Sequence, residues 1–158
     1  MINLQLVTQQ FQSVIQALQQ GLDDNLVALV LFGSRARGDA RPESDWDLLL
    51  IAHNLPSPFF ARHLFLKNNL PPDWRGRISL LAKTVAEFER AVPSLFLDIA
   101  LDGIIIYEQG DYARQHLRYL KELIQTKGLH RRQQGRDLIW EWQNFPGLNW
   151  QLTWQEQI

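Results

Sequence analysis

The chain has 158 residues, 16 basic and 17 acidic side chains for a net charge of −1, and no cysteine. That length suits one domain with a small appendage, able to bury a core without covalent staples. The missing cysteines exclude a disulfide framework, an Fe–S cluster, a thiolate zinc site and a cysteine nucleophile. Balanced charge argues against holding nucleic acid by bulk electrostatics, though it leaves room for a local basic patch. No apolar run approaches the roughly 18 residues of a membrane span. The opening MINLQLVTQQFQSVIQALQQG lacks the basic start and continuous apolar stretch of a signal peptide. A cytoplasmic enzyme or binding domain is the expectation.

In chain order, Leu4, Val7, Phe11, Val14, Ile15 and Leu18 recur at helical spacing, which predicts an amphipathic helix over 3–20 stopped by Gly21. LVALVLF at 26–32 is a continuous apolar run ended by Gly33 and Ser34, the pattern of a buried strand. Residues 35–44 are polar with Gly and Pro and predict a loop or short helical turn. WDLLLI at 46–51 predicts a second strand, 59–69 a helix, and RISLLA at 77–82 a third strand. Thr84 and Glu87 form a T-x-x-E capping box opening a helix over 85–91. Pro93 and Ser94 open another that ends near Gly103. IIIY at 104–107 is a fourth strand. Asp111 is the expected N-cap of a helix over 112–127, closed by Gly128.

The last thirty residues differ. Leu138, Trp140 and Trp142 alternate, as do Leu148, Trp150, Leu152 and Trp154, with Pro146 and Gly147 between, which predicts a β-hairpin. The whole order indicates an α+β fold: one mixed sheet flanked by helices, with a C-terminal helix and a Trp-rich hairpin over 111–158. All 158 residues are expected to form a single domain, with its core over about 3–107.

The segment rich in chemistry is LVLFGSRARGDARPESDWDLLLI at 29–51. Gly33 lets the backbone turn sharply and admits a ligand closely. Amides from Ser34 onward then suit an anion such as phosphate. Asp45 and Asp47 open the next strand. Residues two apart in a strand face one side, so these carboxylates project together, about 7 Å apart along the chain. Trp46 points the other way. Paired carboxylates invite an oxygen-preferring cation such as Mg²⁺, and a phosphate cradle beside them is the layout of metal–nucleotide chemistry.

Gly33-Ser34, ten residues, then Asp45-x-Asp47 resembles the nucleotidyltransferase superfamily of DNA polymerase β. Within it, the run resembles the minimal nucleotidyltransferases, whose pattern Ala36-Arg37-Gly38 and Asp47-Leu48-Leu49 also follow. The resemblance is specific over about 23 residues and does not cover the Trp-rich C-terminus. It implies a polymerase β-like fold and transfer of a nucleoside monophosphate, AMP from ATP, to an acceptor hydroxyl with release of pyrophosphate. Gly33 and Ser34 would hold phosphates, and Asp45 and Asp47 would be the catalytic Mg²⁺ ligands of a two-metal site. Minimal members are often antitoxins that add AMP to a tyrosine of a HEPN-domain toxin, so a HEPN toxin is the implied partner.

One departure stands out. The family's third carboxylate sits on the following strand, and here that position is Ser79, which neither binds a metal as a carboxylate does nor acts as a base at neutral pH. Asp73 and Glu87 lie too far from the strand, and Asp98 falls on a helix.

Other features leave two readings open. Arg35 and Arg37 either reach phosphate or pair with Glu43 or Asp39. The basic stretch KGLHRRQQGR at 127–136 is either a solvated surface or a site for an acidic partner or RNA. The tryptophans pack in the sheet, form a protein-binding face or stack on single strands. His53, His63, His116 and His130 show no metal spacing.

The functional expectation is an Mg²⁺-dependent, ATP-using protein adenylyltransferase and antitoxin. Its rivals are a catalytically silent module that neutralises a partner by contact, and an aminoglycoside-type transferase. The core takes about 105 residues and leaves roughly 50, too few for a separate acceptor domain. The acceptor site is therefore expected to be completed by another chain in a homo- or hetero-oligomer, with neither a membrane nor a long nucleic acid involved.

Overall fold

The N-terminal periodicity produces two helices, not one: α1 (Leu4–Gln10) and α2 (Gln12–Leu22). In the computed structural model, which describes residues 3–155, the break falls at Phe11. No Gly or Pro causes it. The Phe11 ring is fully buried, stacked on Trp74 with centroids 5.0 Å apart and edge-on to Trp46 at 5.2 Å, so the bend coincides with an anchored aromatic. Gly21 does not stop the second helix, which runs on to Leu22. A side chain at Gly21 would overlap that of Asn69, so this glycine serves the close approach of a neighbouring helix.

The four apolar runs form one mixed sheet. β1 (Leu26–Phe32) pairs antiparallel with β2 (Trp46–Ala52) and β4 (Ile104–Glu108), and β2 pairs parallel with β3 (Ile78–Thr84), in the order β3-β2-β1-β4. The two central strands are buried on both faces, which is why they read as unbroken apolar runs. Leu29, Leu31, Leu48 and Leu50 face α1, α2 and α4 (Phe59–Asn69), while Val30, Leu49 and Ile51 face α6 (Ser94–Asp102) and α7 (Tyr112–Thr126). Trp46 packs with the first layer, so its neighbours Asp45 and Asp47 belong to the second face.

The Thr84–Glu87 capping box forms in both directions: Thr84 Oγ1 accepts from the Glu87 amide at 3.1 Å, and Glu87 Oε1 accepts from the Thr84 amide at 2.9 Å. The helix it opens, α5 (Val85–Phe88), is shorter than the expected 85–91. At α7 (Tyr112–Thr126), Asp111 holds the expected N-cap position but does not cap through its side chain. Glu108 instead accepts from the Arg114 amide at 3.0 Å.

The C-terminal hairpin exists but not where alternation placed it. β5 (Leu129–Gln134) pairs with β6 (Asp137–Trp142) around Gly135 and Arg136. The Leu138–Trp142 alternation is a strand, but its partner precedes it. Residues 148–154 form no strand, and Leu148 is 92% exposed. Their tryptophans dock singly: Trp150 lies edge-on to Trp142 at 5.2 Å, and Trp154 packs on Phe88 at 4.9 Å, its indole N–H donating to the Phe88 and Ala91 carbonyls. The true first strand, LHRRQQ, carries no apolar alternation and so gave no sequence signal. Residues 156–158 of the expected C-terminal unit lie outside the described residues.

The basic stretch at 127–136 is largely spent within the chain. Arg131 donates to Asp98 at 3.1 Å and to both Asp102 oxygens at 2.7 and 2.8 Å, while Arg132 bonds Glu141 at 2.9 Å and His130 lies 3.1 Å from Glu141.

Candidate functional site

The site grows from the end of β1. Gly33 takes φ +72°, a value favourable only for glycine, and turns the chain directly into a one-turn helix, α3 (Gly33–Arg37). Gly38, at φ +87°, ends it, its amide donating to the Ser34 carbonyl at 2.9 Å. Phe32, at the N-cap, supplies no side-chain acceptor, so nothing from the cap residue occupies the first amides of the turn.

The antiparallel register sets Asp47 opposite Phe32, and the parallel register sets it beside Ser79. A Cβ built on Gly33 would collide with the Asp47 carboxylate. Glycine is thus required twice: for the turn, and so that a carboxylate can lie against the backbone. Asp45 is exposed just before β2, and Asp47 is half-buried. Burial raises the Asp47 pKa above the ordinary carboxylate value; Asp45 raises it further, and Arg37 pulls it down. Two carboxylates that strain each other in this way are a place where a cation is welcome.

Among the described residues, no group of three or more His, Cys, Asp or Glu could hold a metal. Asp45 and Asp47 do not belong to an all-protein cage; a cation held there would take one or two carboxylates and draw the rest of its shell from other oxygens. Ser79 stands at the neighbouring strand position. The remaining nearby acids are engaged elsewhere or distant. Asp73 lies in the short turn Pro72–Trp74, Glu87 is held by Arg62 at 2.9 Å, and Asp98 by Arg131 and the Trp140 indole N–H.

The two arginines of α3 part company. Arg35 donates to the Ser44 carbonyl at 2.8 and 3.3 Å and to the Pro42 carbonyl at 3.1 Å, with its guanidinium 4.6 Å over the Trp46 ring. It staples the loop joining the turn to the aspartates. Arg37 stays near Asp47 and reaches Asp39 at 3.4 Å and Asp102 at 3.5 Å, both long contacts. Gly33, Ser34, Arg37, Asp45 and Asp47 thus share one end of the sheet, and Arg35 turns away from it.

The sequence reading missed Asp102. Its side chain is 9% exposed and links Arg37 to Arg131, which in turn binds Asp98. An ionic chain therefore runs from α3 through α6 to the hairpin. The available signal was the four-residue spacing of Asp98 and Asp102, which puts both on one helix face.

The family described as "Polymerase beta, Nucleotidyltransferase" matches residues 12–112. A protein adenylyltransferase, so named, of Methanocaldococcus jannaschii is 33% identical over 114 residues, covering 70% of this chain and 78% of the relative. The fold also resembles a crystal structure described as a toxin–antitoxin with AMP-PNP, at TM-score 0.55 and 18% identity over 73% of this chain and 86% of that one. It resembles as well a structure of a tri-AMPylated Shewanella oneidensis HEPN toxin in complex with an MNT antitoxin, at TM-score 0.51 and 17% identity over 78% and 88%. The last two likenesses concern the fold. With the family match spanning the sheet, the Gly33 turn and the aspartate pair alike, the chain belongs to the polymerase β nucleotidyltransferase family.

Proposed function

We propose that this nucleotidyltransferase moves AMP from ATP to a hydroxyl of a protein partner, a HEPN-type toxin, and acts as its antitoxin. The observation that carries the chemistry is the seating of the Asp47 carboxylate against Gly33, which unites a phosphate turn with a carboxylate pair. Gly33, Ser34 and the first amides of α3 would hold the triphosphate. Arg37, tied only by long contacts, is placed to turn toward phosphate. Arg35 holds the loop. Asp45 and Asp47 would hold Mg²⁺, which, when bound, offsets charge on the phosphates and polarises the phosphorus under attack.

The acceptor oxygen bonds to the α-phosphorus, the bond from that phosphorus to pyrophosphate breaks with its electron pair going to the pyrophosphate oxygen, and the hydroxyl proton passes to solvent water. Ser79 is no base at neutral pH, so this chain supplies no carboxylate at that position for the proton. The protein target is supported by the name of the 33% identical relative, and the toxin class by the toxin–antitoxin complexes that share the fold.

To test it, α-labelled ATP, Mg²⁺ and a HEPN-type partner are incubated with the protein. Labelled partner is expected; unlabelled partner, with nucleotide bound and the protein folded, would overturn the proposal. The Ser79 position favours a second reading, a module that neutralises by contact alone. On that reading, protection against the toxin survives Asp45→Asn and Asp47→Asn.

A further inference from the structure

The strand next to the aspartates is open on its other side. β3 pairs with β2 alone and is an edge of the sheet. The Trp46 amide donates to the Arg77 carbonyl at 2.9 Å, so Arg77, Ser79, Leu81 and Lys83 direct backbone groups at β2, and Ile78, Leu80, Ala82 and Thr84 direct theirs outward. At the far end of the strand the outward groups are used: Arg62 donates to the Ala82 carbonyl at 3.3 Å and Glu87 accepts from the Thr84 amide. At the near end, Ile78 and Leu80 have no strand to bond. Natural edges are commonly blunted by bulges, prolines or charge, and this stretch of ISLLAKT has none before Lys83.

Beside that edge runs α4, with a groove of about 430 Å³ between them. Its helix wall is apolar at Phe59, which is 84% exposed at the mouth, and at Leu66 and Leu70 deeper in, facing Ile78 and Leu80 on the strand. Lys67 and Lys83 line the groove, and its one lining carboxylate, Glu87, is already held by Arg62. The groove therefore presents unpaired backbone, apolar surface and net positive charge together.

We propose that this groove docks an extended segment of the acceptor protein, rich in apolar residues and carrying at least one carboxylate, as a fifth strand on β3. Main-chain bonds to Ile78 and Leu80 would supply affinity, and the Phe59 wall and the lysines would supply selectivity. The continuity with the site gives the arrangement its purpose. Ser79 lies on this strand and pairs with Asp47. A residue opposite Ser79 on an added strand would sit about 5 Å from it and about 10 Å from Asp47 by strand spacing, near enough for a long hydroxyl side chain to enter the site. The purpose rests on the proposed transferase; the docking does not.

The test is residue-resolved amide hydrogen exchange, without ATP, on the full chain alone and with a HEPN-type partner. The Ile78, Leu80 and Ala82 amides are expected to exchange at least tenfold more slowly in the complex. Leu80→Pro deletes an outward donor without touching the β2 ladder, and Phe59→Ser alters a residue that is 84% exposed and stacks on His63 of its own helix. Each is expected to weaken partner binding at least tenfold while MgATP binding stays within twofold. Absence of a complex, unchanged exchange at these amides within one, or wild-type binding by both variants would overturn the docking. Protection without label transfer leaves the docking standing and removes the transferase; label transfer without protection does the reverse.

Discussion

The Asp47 carboxylate occupies the space that a side chain on Gly33 would fill, and Gly33 holds φ +72° while it does so. Gly33→Ala therefore meets two penalties. The positive φ alone costs about 1–3 kcal/mol for a non-glycine residue. On the proposed chemistry, displacing the Asp47 carboxylate by even 1 Å would cost roughly a hundredfold in rate. Gly38→Ala is the matched control, with φ +87° and nothing within 4 Å of a new Cβ. Both variants should melt lower, and only Gly33→Ala should lose label transfer. Equal loss in both would place the requirement in the turn, not in Asp47.

Asp47→Asn should separate activity from stability. Burial, then Asp45, raise the folded pKa of Asp47 above its unfolded value. For a group so raised, stability is greatest below the unfolded pKa and falls as pH rises through the folded one. At neutral pH the charge therefore costs stability in metal-free protein. Asparagine removes that charge, so the variant should melt at the same or a higher temperature in chelator, while label transfer disappears. A lower melting point would show that the carboxylate supports the fold.

Asp102 accepts from Arg131 through both oxygens and touches Arg37. Asp102→Asn should destabilise by roughly 2 kcal/mol, as expected for charged hydrogen bonds lost from a sheltered site. The hairpin should loosen first, because Arg131 ties it to α6, together with the Trp140 indole N–H on Asp98. Faster exchange at the β5–β6 amides than at β1 would show this, and uniform change across the molecule would contradict it.

Glu87 links the capping box to Arg62. The Thr84 amide, followed by Arg62, holds its pKa below the ordinary value. The sign is opposite to that of Asp47: the contribution is present above the unfolded pKa and is lost as pH falls through the folded one. Glu87→Gln keeps an acceptor for Thr84 but loses the ion pair, for a cost of about 0.5–1 kcal/mol at neutral pH. The difference between wild type and variant in denaturant titrations should shrink as the pH drops below the usual carboxylate range.

Much of the fold was legible because the central strands are buried on both faces and write that burial into the sequence. LVALVLF and WDLLLI can be little else. The turn and the aspartate pair were legible for another reason: Gly33, Ser34, Asp45 and Asp47 lie within fifteen residues, and one strand end, one turn and one strand start bring them together. The hairpin was misplaced because tryptophan alternation near Pro146 resembles a strand pair, whereas LHRRQQ, held by Arg131 to two aspartates, has no such pattern.

By itself, then, the sequence determined where the central strands run, the glycine turn and the spacing of the carboxylates, all of which depend on local backbone preference and burial. Tertiary structure alone decided which charges meet. It sent Arg35 to loop carbonyls and left Arg37 near Asp47, tied Arg37 to an aspartate 65 residues away, and opened the β3 edge beside Ser79. Those outcomes arise from contacts between elements distant in the chain, whose geometry depends on how helices pack on the sheet, and no local pattern records it.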